Sequence, residues 1–414
     1  MSADPSSGPE LRFFYDVVCP YAFLASTRVE AFAAERGRSV TWCPVLLGGL
    51  LRRHGGPDDP NATYSPVRGR MGRADILRSA EWWNVPLAIP AEHPRRTVDA
   101  MRLVVAAGAD RRVAVSRALF EAYWCEGRDV ADRRVLADVA RAHGLAIEAI
   151  ADERVRTELR ARTDEAADAG VFGVPTFAIG DACVWGQDRL AVLARALGAG
   201  PSDPAAALPG PRPGMRVRFF HDVSSPFSYL ASTQIERVCA AAGAELEAVP
   251  ILLGALFRDI GTADVPLFEM HAAKQAWVRR DLDDWAALWG VPLRFRSSFP
   301  LRSVLPQRAL VVEPRAMAAV YRATWVDDRA VDRPDVLGDV LAAAGFAAPE
   351  ILAQTERAEI KDALRRNTEA ARAAGACGVP SFEITRAAGD RRVVWGQDRL
   401  PMLAAMLAGF WPSV

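Results

Sequence analysis

The chain has 414 residues, half of them hydrophobic and a quarter charged, the balance of a globular protein with room for more than one core. Its 51 Lys and Arg equal its 51 Asp and Glu, and the zero net charge, with no basic stripe, argues against a nucleic-acid binder. No uncharged apolar run reaches the ~18 residues that span a bilayer, and residues 1–10 show no basic-then-apolar leader, so no membrane association and a cytoplasmic location are expected.

Taken in chain order, residues 11–17 are a short apolar run with aromatic side chains, which predicts a buried strand. The run ends at Cys19-Pro20, and proline suits the first turn of a helix, where its missing N–H costs nothing. Phe23, Leu24, Val29 and Phe32 then recur at helical spacing. Residues 40–46 read as a second strand, and 62–169 as a long Ala- and Arg-rich helical block. Residues 174–179 and 182–185 predict a β-hairpin, and 188–197 a closing helix.

The same order then returns. RFFYDV at 12–17 is echoed by RFFHDV at 218–223, YAFLAST at 21–27 by FSYLAST at 227–233, and PVLLG at 44–48 by PILLG at 250–254, each 206 residues on. GVPTF at 173–177 matches GVPSF at 378–382, and WGQDRL occurs at 185–190 and 395–400. The widened offset at the last pair places extra residues between 385 and 392, predicting a longer hairpin loop. The repeat predicts two tandem domains, at 10–197 and 215–414. Residues 198–214, rich in Pro, Gly and Ala, read as a semi-rigid linker between them. Strand, helix, strand, helical block, hairpin, helix is a thioredoxin-like order with a helical insertion, so each domain is expected to be an α/β sandwich.

The six cysteines, Cys19, Cys43, Cys125, Cys183, Cys239 and Cys377, form no C-x-x-C pair and read mostly as buried thiols. The five histidines have no metal-ligand spacing, and no metal site is expected.

Three places are candidates for chemistry. The strand-to-helix corner carries Cys19 in the first copy and Ser225 in the second, where unpaired N–H groups and the helix dipole favour a thiolate. Simple burial of Cys19 and helix capping by Ser225 explain the same residues. The Val174-Pro175 and Val379-Pro380 steps precede the hairpin, where a G-V-P tripeptide alone is a turn signal. Gln187-Asp188 and Gln397-Asp398 open the last helix, whose N-terminus suits an anionic or zwitterionic group, with capping by Asp as the plainer use.

FFHDVSSPFSYLAS at 219–232 resembles the opening of the 2-hydroxychromene-2-carboxylate isomerases and their kappa-class glutathione transferase relatives, which carry a DsbA-like thioredoxin fold. The spacing of Lys274, Trp277, Asp281, Leu282, Trp285 and Ala286, ending in Val291-Pro292-Leu293, carries the likeness through the helical block, and GVPS and WGQDRL complete it. The resemblance implies that Ser225 hydrogen-bonds the sulfur of bound glutathione and that Val174 or Val379, beside a cis proline, binds its cysteinyl part. It implies that Gln187 with Asp188, and Gln397 with Asp398, hold the γ-glutamyl end, and that Lys274 lies near the glycyl end or a substrate carboxylate. The first copy departs from it: Cys19 replaces the serine, and Arg68 stands where the second copy has Lys274. Asp75 matches Asp281, and Arg95-Arg96 lies near the place of Leu301-Arg302. Cys19 also resembles the attacking cysteine of DsbA-type oxidoreductases, but Ala22 fills the resolving position.

The resemblance thus implies a glutathione-dependent cis–trans isomerase of an aromatic-degradation intermediate bearing a carboxylate. Thiol-disulfide oxidoreduction or glutathione transfer at Cys19 is the first alternative, and a non-catalytic small-molecule-binding module the second. Trp277, Trp285 and Trp289 are candidates to wall an aromatic pocket, with core packing as the competing role. The tandem arrangement further implies an intramolecular pseudo-dimer.

Overall fold

The computed structural model describes residues 10–57, 64–180, 182–205, 210 and 214–414, so residues 206–209 and 211–213 of the linker lie outside the described residues. The chain divides into two compact units. Two short segments change sides relative to the division expected from the repeat. Thr63–Asp75 belongs to the second unit, and His271–Lys274 to the first.

In the first unit, β1 (Leu11–Tyr15), β2 (Val40–Pro44), β3 (Thr176–Ile179) and β4 (Ala182–Trp185) form one sheet in the order β2-β1-β3-β4. β1 runs parallel to β2 and antiparallel to β3, which pairs with β4 as the predicted hairpin. Four of the five β1 residues are buried, as expected of a central strand covered on both faces. Phe13 stacks between Tyr15 and Phe177 at 5.2 and 5.5 Å and meets Trp42 edge-on at 5.1 Å. The helical block includes Val98–Ala106, Gly108–Trp124, Arg133–Ala142 and Glu153–Asp168. Asp132 and Asp152 cap the last two by accepting backbone N–H groups of Arg134 and Arg154.

The second unit repeats this plan with β5 (Arg216–His221), β6 (Glu245–Pro250), β7 (Ser381–Thr385) and β8 (Arg391–Trp395), in the order β6-β5-β7-β8. The longer hairpin loop is there, closed by the Arg386 N–H donating to the Asp390 carbonyl at 3.0 Å. Two differences distinguish the copies. The corner helix is continuous in the second copy (Pro226–Ala242) but breaks after Ser26 in the first, where Arg28 leaves helical geometry before Val29–Ala34. Gly108–Trp124 is one helix, whereas Pro314 starts a short 3₁₀ turn ahead of Met317–Trp325.

Trp124 and Trp325 are fully buried, and their indole N–H groups donate to the carbonyls of Val17 and Val223 at 2.8 Å. Each thereby pins the chain just past the central strand to the helical block. Among the described residues no helix is long and apolar enough to cross a membrane.

Candidate functional site

Both corners follow from a strand that must stop and a proline that starts a helix. In the second unit Ser225 is the N-cap, and its Oγ accepts the Ser228 N–H at 3.2 Å. The hydroxyl proton points to the Val379 carbonyl at 3.4 Å, a long contact for O–H···O and therefore a weak hold on that proton. The capping reading of Ser225 is correct, and it leaves the hydroxyl a proton to donate elsewhere.

In the first unit Cys19 takes the same N-cap position without a side-chain cap. Its thiol donates to the Val174 carbonyl at 3.1 Å. Burial pushes the thiol up to about 12, against the lowering pull of the Ala22 and Tyr21 N–H groups, while the charge of Asp16 adds to the rise. Cys19 is therefore a protonated donor near neutrality, the chemical counterpart of the serine hydroxyl.

The proline loop faces each corner. The Val174–Pro175 and Val379–Pro380 bonds are both cis. The N–H groups of Val174 and Val379 have no partner among the described residues, so each offers a donor next to the corner. Gly173 and Gly378 are required here: a Cβ on either would lie 2.8 Å from the indole nitrogen of Trp185 or Trp395. Gly186 and Gly396, at φ of 116° and 109°, then donate their N–H to the carbonyls of Pro175 and Pro380 at 2.9 Å. The proline step and the Trp-Gly turn on either side of the hairpin thus form one scaffold in each unit.

The Gln-Asp turn differs from its sequence reading in one respect. The closing helices begin at Leu190 and Leu400, so Gln187-Asp188 lies in a turn ahead of the helix, and Gln397–Arg399 forms a 3₁₀ turn. Asp188 is paired with Arg189 at 2.8 Å and Asp398 with Arg399 at 3.4 Å, rather than capping either helix, whose N-caps are Arg189 and Arg399. Gln187 and Gln397 are buried.

Lys274 and Arg68 lie elsewhere than their sequence copies imply. Lys274 belongs to the first unit, with its ammonium 5.4 Å from the Trp185 ring centre. Arg68 belongs to the second, 5.6 Å from the Trp395 ring centre and stacked on Tyr64 at 4.0 Å. Asp75 also falls in the second unit, where it takes Arg399 in a two-pronged ion pair, one arm at 2.8 Å. Trp285 and Trp289 are buried against each other at 5.0 Å and serve the core, while Trp277 is partly exposed.

Two further positions lie against the site. Asp16 and Asp222 stand inside the RFFYDV and RFFHDV repeats, just before each corner. Each is buried and accepts from three donors, two backbone N–H groups and one hydroxyl. Asp222 accepts the Ser224 N–H at 2.9 Å, the Leu253 N–H at 2.8 Å and the Ser303 hydroxyl at 3.0 Å. Asp16 does the same with Val18, Leu47 and Thr97. Burial raises both carboxyls and the hydrogen bonds oppose it. Their recurrence after an apolar strand is the signal that marks them, because a carboxylate there needs dedicated donors. The other is Arg28, whose guanidinium donates to the Gln187 carbonyl at 2.9 Å and to its side-chain oxygen, and stacks on Trp83 at 3.9 Å. Burial lowers it to about 10 while Asp188 pulls the other way. The second copy has Gln234 at that position.

Comparison with known proteins bears on both halves. A DSBA-like thioredoxin domain model matches residues 10–198 and again 216–408. Glutathione S-transferase kappa 2 of Caenorhabditis elegans is 30% identical over 210 residues, covering 46% of this chain and 91% of that protein. The 2-hydroxychromene-2-carboxylate isomerase of Pseudomonas sp. (strain C18) is 28% identical over 193 residues, covering 46% and 90%. A solved 2-hydroxychromene-2-carboxylate isomerase aligns at a TM-score of 0.42 and 24% identity, over 45% of this chain and 94% of that one. Each of these relatives is therefore about the length of one half of this chain.

Proposed function

Since both halves of the chain belong to the DSBA-like thioredoxin domain family, we propose that it is a glutathione-dependent cis–trans isomerase of the 2-hydroxychromene-2-carboxylate isomerase type, acting in the cytoplasm on an aromatic-degradation intermediate that carries a carboxylate. The observation that carries this reading is the Ser225 hydroxyl. It is buried at a helix N-terminus, its lone pair is engaged by the Ser228 N–H, and its proton is only loosely held by the Val379 carbonyl. Such a hydroxyl can turn its proton onto a thiolate with little loss, and a charge-assisted bond there is stronger than the one given up.

Glutathione, as co-substrate, supplies the thiolate that adds to a conjugated carbon and leaves again, so that rotation occurs about a bond that is briefly single. The chain's own residues hold and orient. In this reading the Val379 N–H would take a backbone carbonyl of the tripeptide, and Gln397 with Asp398 its γ-glutamyl end, beside a corner whose N–H groups would lower the thiol's proton affinity. In the second unit Arg68 is the cation by Trp395, and in the first Lys274 is the one by Trp185. Each is suited to a glycyl or substrate carboxylate.

We further propose the second unit as the working glutathione site. In the first, Arg28 beside Gln187 and Asp188 sets a fixed positive charge where the γ-glutamyl ammonium would go. Redox chemistry at Cys19 would need a thiolate, and a thiol pushed up to about 12 supplies almost none at neutral pH.

Calorimetric titration of glutathione into the full chain tests the reading. Saturable binding is expected, weakened at least about tenfold by Ser225→Ala, the worth of one charge-assisted hydrogen bond, and little changed by Cys19→Ala. Absence of saturable binding would overturn the glutathione-dependent function.

A further inference from the structure

The first unit carries an open cleft of about 520 Å³ whose walls share no residue with the corner, the proline loop or the Gln-Asp turn. It lies among the helices Leu47–Arg53, Val98–Ala106 and Glu153–Asp168. Its lining is dominated by Arg52, Arg53, Arg96, Arg102, Arg156 and Arg160, against a single carboxylate, Asp164. Three of these arginines lean on carboxylates beyond the lining: Arg53 on Asp168 at 2.6 Å, Arg102 on Asp99 at 2.8 Å, and Arg156 on Glu153 at 3.5 Å. Arg96 and Arg160 have no ion pair among the described residues, and the Nε of Arg156 is buried with no hydrogen-bond partner there. Guanidiniums gathered on one concave wall repel one another, and an anion between them removes that cost.

In the second unit the same framework takes its counter-charge from different positions. Asp259 stands where the first copy has Arg53. Glu356, two residues before the helix Ala358–Ala374, takes Arg308 at 3.3 Å and Lys361 at 2.9 Å, the counterparts of Arg102 and Arg156. The residue two before Glu153–Asp168 is Ala151, which brings no charge. The first copy draws its counter-charge instead from Asp99, Glu153 and Asp168, where the second has Leu305, Ala358 and Ala373, and it carries one extra cation, Arg53 in place of Asp259.

We propose that this cleft binds a small organic anion with two or more negative charges, carried on phosphate or carboxylate groups. Arginine forks match the paired oxygens of either group. The volume lies within the roughly 300–1,000 Å³ of small-molecule pockets. The site is independent of glutathione and of the corner chemistry.

Calorimetry on the full chain, with sodium pyrophosphate and with citrate, each against sodium chloride at matched ionic strength, reads the binding directly. Saturable binding of at least one of the two is expected, and the tighter of them assigns phosphate or carboxylate. The double substitution Arg96→Gln with Arg160→Gln should weaken it at least about tenfold, while Arg302→Gln with Arg365→Gln in the second copy should leave it intact. A second reading needs no variant: phenylglyoxal modification mapped by mass spectrometry should show pyrophosphate or citrate protecting Arg96 and Arg160 but not Arg302 and Arg365. Heats that vanish at matched ionic strength, equal loss in the second-copy variant, or protection that is uniform along the chain would each overturn the proposal.

Discussion

Ser225 and Cys19 occupy one position in two copies of one corner, and the difference between oxygen and sulfur decides what each can do. A serine hydroxyl is never ionised at neutral pH and always has a proton to give. A cysteine has that proton only if its surroundings keep it, and burial at the first corner does so. Alkylation by iodoacetamide at pH 8, followed residue by residue by mass spectrometry, should therefore leave Cys19 unlabelled on a timescale that labels free glutathione fully. Fast labelling would restore the thiolate reading. Arg28 is the other residue whose replacement is informative. Arg28→Gln copies the second unit's Gln234 and removes the fixed cation beside Asp188. Calorimetry should then find a second equivalent of glutathione per chain, whereas unchanged stoichiometry would show that Arg28 is not what closes the first site.

At the scale of elements, each site is built where a strand end, a proline loop and a turn are tied together by backbone hydrogen bonds. The indole of Trp325 adds the tie to the helical block through the Val223 carbonyl, which is fully buried. Trp325→Phe keeps an aromatic ring but loses the N–H and part of the buried indole volume, so leaving that carbonyl without its donor costs about 1–3 kcal/mol and the smaller ring adds to it. For a domain of this size that corresponds to a fall in melting temperature of roughly 2–4 °C per kcal/mol, measurable by calorimetry. Because Val223 lies two residues before Ser225, glutathione affinity should fall as well. A variant that melts earlier but binds equally well would separate the tie from the site. Strand, corner helix and hairpin were legible because their apolar runs and prolines are local signals. The start of the closing helix was not. Gln-Asp-Arg reads as a helix opening, yet the carboxylates pair with Arg189 and Arg399 and the helix waits until Leu190 and Leu400.

Over the whole molecule, three thiols, Cys19, Cys239 and Cys377, are each pushed up to about 12 from an ordinary 9.0, in every case chiefly by burial. Below pH 9 both folded and unfolded chains keep these protons, and stability is unaffected. Above it the unfolded chain ionises while the folded chain resists, so stability falls progressively between about pH 9 and 12. Melting temperatures across that window should drop, and a triple Cys→Ser or Cys→Ala variant should flatten the fall. A drop of equal steepness in the variant would assign it to other groups.

The repeat, the thioredoxin-like order and the positions of Ser225, Cys19, the two Val-Pro steps and the two Gln-Asp pairs are properties of sequence alone, because they rest on local patterns that recur in the same order. Tertiary structure decided what those patterns could not encode. It grouped Lys274 with the first unit and Arg68 and Asp75 with the second. It set the protonation of Cys19 by burying it, brought Arg28 onto Gln187 across 159 residues, and gathered six arginines from three separate stretches onto one wall. Each of these depends on which distant side chains share a low-dielectric neighbourhood, and no window of sequence contains that neighbourhood.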